Sequence, residues 1–456
     1  MIKSSSFPQS LYFFSFFILC SSSTIVSSVS VPLSKTFSYA NNGASQSGLV
    51  EFNASFRVLP IQNHPFRLCF FKPLHSDSYI LGIGMGTADV NSLMRWVWAA
   101  NLDKSVGENA KLVFNRAGNL ALIDSNGRYA WQTNTGNKGV VDIKLLPNGN
   151  LVLVDKNGGF VWQSFDHPTN TLLVGQTLNP GITSTSNKLV NGAYSLVLQG
   201  KQLGLFFNPP NPKPDSSKPM NYFNLIEPSL QNFDIENVTF NTAPESLGDA
   251  YANQLSLYTG GHHFGFTYAH PKYNSTLSIF RLGSDGNVYI YTYYEQDSFE
   301  QNVWEQTYAT FSRQGTNSEC LMPEKCGSFG LCSDNQCVAC PTPIGLAGWT
   351  KQCKQPNIPS CNAANVGYYK LEAVNHFLNG GNVEGEGPMD VNQCMKKCSD
   401  DCKCVGFFYK VDGSMCLRTT QLYTLVKLSD DIESNKSHTA YIKYAKEKPQ
   451  NLLHQN

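Results

Sequence analysis

The chain has 456 residues, too many for one hydrophobic core, so about three or four domains are expected. Lys and Arg total 34 against 34 Asp and Glu, only 15% of residues are charged, and the formal net charge is zero. That balance excludes the electrostatic footprint of a nucleic-acid or anionic-membrane binder, while 12% aromatics, 36 Gly and 23 Pro favour short strands and tight turns over long helices.

The first segment sets the expected compartment. Lys3 is followed by the apolar "LYFFSFFILC" (11–20) and a Ser-rich stretch with small residues. This is the layout of a secretory signal peptide over residues 1–30, too short for a membrane span. No later stretch approaches the roughly 18 apolar residues that a span needs, and residues 447–456 form a polar tail, "EKPQNLLHQN". The expectation is a secreted, extracellular product with no membrane span. Sequons at Asn53, Asn237, Asn274 and Asn435 are then candidate N-glycosylation sites.

Residues 31–178 carry an internal repeat. Gly118, Asn119, Leu120, Leu122, Asp124, Gly127, Trp131 and Gln132 recur 31 positions later as Gly149, Asn150, Leu151, Leu153, Asp155, Gly158, Trp162 and Gln163. "AGN", "PNG" and "KNGG" are turn chemistry, and the alternating leucines put one face of each strand inward. Trp98 lies 33 residues before Trp131, in a "WAAN" that echoes "WQTN". Three such units, each too small to bury its own apolar face, would close around a shared core filled by Trp98, Trp131 and Trp162. Upstream, Cys69 alternates within the apolar "FRLCFF", which reads as a buried thiol acting as a small hydrophobe.

"WVWAANLDKSV", "GNLALID", "NGNLVLVD" and above all "VWQSFDHPTNTLLVGQTL" resemble the bulb-type, or G-type, lectin domain. The resemblance implies a mainly β fold beginning with a β-prism of three four-stranded sheets. The whole chain is similar to the extracellular part of plant S-locus glycoproteins and S-domain receptor kinases. Its "FRLCFF" and "LMRWVWAAN" are most similar to the epidermis-specific secreted glycoprotein-like proteins, which lack span and kinase. The same resemblance makes residues 179–316 a second lectin-like β domain, with the strand-turn-strand pattern "RLGSDGNVYIYTYYEQ" (281–296). Within it, "NPPNPKPDSSKP" (208–219) is too Pro-rich for a sheet interior and reads as an exposed loop.

Twelve cysteines crowd between Cys320 and Cys416, the density of disulfide-stapled modules. Cys320, Cys326, Cys332, Cys337, Cys340 and Cys353 resemble an EGF-like module (317–355), which implies the pairs Cys320–Cys332, Cys326–Cys337 and Cys340–Cys353. The spacing of Cys337 and Cys340 also suits zinc, but an oxidising compartment favours disulfides, and no metal is expected. Residues 356–446 resemble a PAN/apple domain. Asp390 is a candidate N-cap, with Val391, Cys394, Met395 and Cys398 on one helical face. This second resemblance implies Cys394–Cys416 and Cys398–Cys404, leaving Cys361 and Cys402 for each other.

Bulb-type lectins bind mannose through Gln-x-Asp-x-Asn-x-Val-x-Tyr, whose amides and carboxylate offer donors and acceptors to sugar hydroxyls. The resemblance aligns Asn115, Ala117, Asn119, Ala121 and Ile123 with it, then Leu146, Asn148, Asn150, Val152 and Val154. A third match in the second domain is Gly283, Asp285, Asn287, Tyr289 and Tyr291. The candidate sugar ligands are therefore Asn115, Asn119, Asn148, Asn150, Asp285, Asn287 and Tyr291, in motifs that are all degenerate; the bland alternative is that these residues only make turns. His262 and His263 would point to opposite faces of a strand and cannot share a metal ion. No G-x-S-x-G, H-E-x-x-H or P-loop occurs, so neither enzyme nor cofactor is expected. Two functions remain: a carbohydrate binder for cell-wall or glycoprotein glycans of the apoplast, or a scaffold presenting EGF-like and PAN surfaces to extracellular proteins.

Overall fold

A computed structural model describes residues 30–88, 92–210, 219–226, 234–244, 251–271, 277–294, 303–358, 363–378, 383, 385–429 and 437–446. The expected signal segment (apart from Ser30), most of the Pro-rich loop, Asn274, Cys361, Asn435 and the polar tail lie outside them. The described chain is mainly β, arranged in eight sheets.

Three sheets enclose the first core. One runs through Ser55–Asn63, Phe66–Lys72, Ile80–Met85 and Arg95–Ala99; the second joins Phe37–Ala40 to Lys111–Phe114, Leu120–Ile123 and Tyr129–Gln132. The third holds Val140–Leu145, Leu151–Asp155 and Phe160–Gln163. Leu120, Leu122, Leu151 and Leu153 are fully buried, as their alternation requires. Trp98, Trp131 and Trp162 meet edge to face at the centre, with ring centroids 5.6–6.2 Å apart, the geometry that a ring quadrupole favours. The Trp98 indole N–H, which burial would otherwise orphan, donates to His167 O at 2.9 Å.

The third sheet has three strands where the resemblance implies four. The next strand, Thr171–Leu173, pairs antiparallel with Ser278–Leu282, and Thr177–Leu178 pairs with Asn237–Pro244. Both strands end at or before residue 178 yet complete sheets built from residues beyond it. With them the second prism has three four-stranded sheets, the others including Lys188–Asn191, Tyr194–Gln199, Gln202–Phe207 and Met220–Asn224.

A buried ion cluster joins the prisms. Glu51 accepts hydrogen bonds from Arg95 (2.7 Å), from Arg281 and from the backbone N–H of Trp96 (3.0 Å). Arg281 also donates to Trp96 O and Thr171 Oγ1. The Arg95 guanidinium lies over the Tyr291 ring at 4.1 Å and the Trp304 ring at 5.1 Å. Each charge is paired, and Glu51 and Arg281 are further hydrogen-bonded, which lowers the penalty of burying them; Arg95 Nε has no hydrogen-bond partner, and the two rings cover that guanidinium instead.

The cysteine-rich region is fused to the second prism. One continuous core runs from Leu196, Leu205 and Phe280 through Cys326 and Phe329 to Val374, Phe377 and Leu425. Phe329–Ser333 pairs in parallel with Tyr423–Lys427, so strands from both cysteine groups share a five-stranded sheet. Disulfides link Cys320–Cys332, Cys326–Cys337, Cys340–Cys353, Cys394–Cys416 and Cys398–Cys404; Cys402 is also disulfide-bonded. The α-helix, Val391–Asp400, starts at an Asp390 that accepts from the N–H groups of Asn392 and Gln393, while Gln393 reaches back to it in a capping box. Cys394 and Cys398 sit on its buried face with Val391 and Met395 packed alongside.

Candidate functional site

The three motif-bearing hairpins fold alike. Gly118, Gly149 and Gly286 have φ of 85°, 83° and 84°, the left-handed region open to glycine. At Gly149 a Cβ would also come within 2.7 Å of Phe66 and Leu173. Each turn places an asparagine at the head of the following strand, and in each the carboxamide is already used.

Asn119 donates to Gln132 Oε1 at 3.1 Å, while its Oδ1 accepts from Thr133 Oγ1 (3.2 Å) and Thr135 N (3.1 Å). Asn150 donates to Gln163 Oε1 at 2.9 Å, and its Oδ1 accepts from Ser164 Oγ (3.2 Å) and Phe165 N (3.3 Å). Asn287 donates to Phe311 O at 2.8 Å and accepts from Phe311 N at 3.0 Å. Asn150 and Asn287 are buried. These amides stitch each hairpin to the strand or turn that follows it. A sugar hydroxyl would have to displace bonds of that kind, so these groups give it little net gain.

Asn115, Asn148 and Asp285 each support a turn through one side-chain oxygen. Asn115 Oδ1 accepts from Asn119 N at 3.1 Å, Asn148 Oδ1 from Asn150 N at 3.2 Å and Asp285 Oδ1 from Asn287 N at 3.0 Å. Asp285 Oδ2 takes the Tyr289 hydroxyl at 2.6 Å; burial and this bond hold that phenol above its ordinary range. Tyr291 lies under Arg95 in the joint between the prisms. Val152 and Val154, on the outward face of their strand, are also buried. The structure brings each motif's residues together, but as turn supports. The missed signal was the recurring Gln132 and Gln163, which the repeat itself contains and which hold the two asparagines.

Asn53 is exposed and Asn237 half-buried. Cys69 is a buried free cysteine whose burial pushes its thiol up to about 12, which suppresses the reactive thiolate at neutral pH. His262 and His263 are both exposed on the strand His262–Ala269. The Glu51–Arg95–Arg281 cluster left no trace in sequence, its members being up to 230 positions apart.

Two three-sheet prisms, each with asparagine-headed hairpins, define a chain of the lectin-like class, and the D-mannose binding lectin family matches residues 95–191. EP1-like glycoprotein 4 of Arabidopsis thaliana is 40% identical over 431 residues, covering 91% of this chain and 92% of that protein. The epidermis-specific secreted glycoprotein EP1 of Daucus carota is 43% identical over 365 residues, 75% of this chain and 92% of that protein. A G-type lectin S-receptor-like serine/threonine-protein kinase of Arabidopsis thaliana, SD2-5, is 25% identical over 71% of this chain but only 38% of its own length. The chain belongs to the EP1-like glycoprotein family.

Proposed function

We propose that the chain is a secreted, lectin-like glycoprotein of the cell wall or apoplast whose three mannose-type hairpin sites have become structural. Its recognition work then falls to other surfaces, including those of the EGF-like and PAN-like modules assigned to 317–355 and 356–446. The observation that carries this reading is the internal pairing of Asn119, Asn150 and Asn287. Discrimination among sugars rests on site groups that are left without a partner when the sugar is absent, and these have partners. The extracellular location draws on relatives named as secreted glycoproteins, on the signal-like residues 1–30 and on the five disulfides. No helix among the described residues is long and apolar enough to cross a membrane.

The second reading, mannose binding at the hairpins, is favoured by the match to the mannose-binding lectin family. Calorimetry with mannose separates the two. The first expects no heat of binding; a Kd tighter than about 1 mM, abolished by substitution of Asn148 or Asp285, supports the second.

A further inference from the structure

The criterion that closes the hairpins points to a different part of the molecule. Where the edge strand Arg95–Ala99 of the first prism faces the 185–192 segment of the second, a cleft of about 650 Å³ opens. This is the size of a small-ligand site. Trp98 contributes to its lining, and the exposed Phe52 and Val190 stand at its edge, 62% and 43% accessible. Phe52 is held at φ 64°, a conformation that costs a side-chain-bearing residue free energy and is kept where surrounding structure imposes it.

Between these apolar surfaces stand Asp103, Lys188 and Asn191. Neither the Asp103 carboxylate nor the Lys188 ammonium has a partner among the described residues. Asn191 donates to Leu282 O at 3.0 Å, which leaves its carbonyl oxygen open. The cleft thus offers a free acceptor anion, a free donor cation and a free amide oxygen beside an apolar wall. Asp103 and Lys188 offset each other in the cleft; Glu51, at its base, is paired with both Arg95 and Arg281, whose one excess positive charge belongs to side chains outside the cleft lining.

We propose that this cleft between the prisms binds a short neutral oligosaccharide. Pyranose rings present C–H faces to the apolar wall and hydroxyls that both donate and accept, so a short oligosaccharide matches an anion, a cation and an amide oxygen along one cleft. A purely hydrocarbon ligand would desolvate them without replacement, at a cost. The site shares no residue with the hairpins, so this inference stands or falls separately from the reading of those.

The test is calorimetry and array binding of the secreted, glycosylated protein with short neutral mannan, glucan and xylan fragments. At least one fragment is expected to bind, and Asp103→Ala and Lys188→Ala should each weaken it by about tenfold, the worth of one good polar contact. Neither change should move the melting temperature, because neither side chain has a hydrogen-bond or ion-pair partner among the described residues; Lys351→Ala, in the first cysteine group, should leave binding intact. Binding seen only after N-glycosidase treatment also supports the cleft, and identifies a glycan on Asn53, next to Phe52, as its resident competitor. No binding by treated or untreated protein overturns the proposal. So does binding that both cleft substitutions leave unchanged.

Discussion

The first prism and the cysteine-rich region solve the same problem by opposite means. The prism packs three tryptophans and paired leucines into a core drawn mainly from its own strands, with Ile279 and Tyr293 of the second prism joining it, and its described residues contain no disulfide; its one described cysteine, Cys69, is free. Among its described residues the C-terminal region has short strands, one ten-residue α-helix and at least five disulfides, and its apolar residues continue a core that belongs mainly to the second prism. A unit large enough to bury aromatic rings needs no covalent staples, and one that is too small borrows both staples and core from its surroundings.

Reduction should break this symmetry most strongly. Each bridge contributes about 2–4 kcal/mol, so a reductant should unfold the cysteine-rich region and, through the shared core, weaken the second prism. The first prism should persist. Four of the six tryptophans (Trp96, Trp98, Trp131 and Trp162) lie in it, so intrinsic fluorescence should remain native-like while far-UV circular dichroism falls. Simultaneous loss of both signals would show that the prism depends on the disulfides after all.

Trp98→Ala makes the converse cut. Removing a buried tryptophan costs about 3–5 kcal/mol, and here it also removes two edge-to-face contacts. The first thermal transition should drop sharply while the disulfide pattern by peptide mapping stays the same. Asn287→Ala should be milder, about 1–3 kcal/mol, because it strands the buried N–H and C=O of Phe311. An unchanged melting temperature would mean that this amide is not the structural clamp described above.

The smallest effect is electrostatic. Hydrogen bonds from Arg418 and then Lys397 hold the Glu386 carboxyl down at about 2. Because the folded value is depressed, its stabilisation is present above the ordinary carboxylate range and is lost as pH falls through about 2. The side chain is half exposed, so solvent screening limits the contribution to about 0.2–1 kcal/mol. Glu386→Gln should therefore lower the melting temperature slightly at pH 6, with the difference vanishing near pH 2 and in high salt. A difference that survives at pH 2 would point to lost packing instead.

What could be read from the sequence was local. The repeat, the alternating leucines, the glycine turns and the Asp390 cap follow from spacings of a few residues, and the tryptophan cluster follows from the repeat. The parallel pairing of Phe329 with Tyr423, the crossing strand Thr171–Leu173 and the Glu51–Arg281 pair join segments about a hundred or more residues apart. Backbone pairing of that kind leaves no pattern in either segment. The candidate sugar residues were legible as asparagines in turns, but their spent state depended on partners such as Phe311, 24 positions on. The cleft was invisible for the same reason, since its walls come from two prisms.

The crossing strand also sets a clock. Thr171 meets Arg281, 110 residues further along the chain. At a synthesis rate of about 5–20 residues per second, its partner emerges on the order of ten seconds later. Residues up to about 166 can close the first prism in that interval, while the apolar "TLL" beside it waits with an unsatisfied edge. Such an edge invites pairing with a neighbouring chain. Secretion of this protein thus includes a window in which one short strand has to be shielded until the second half of the molecule arrives to receive it.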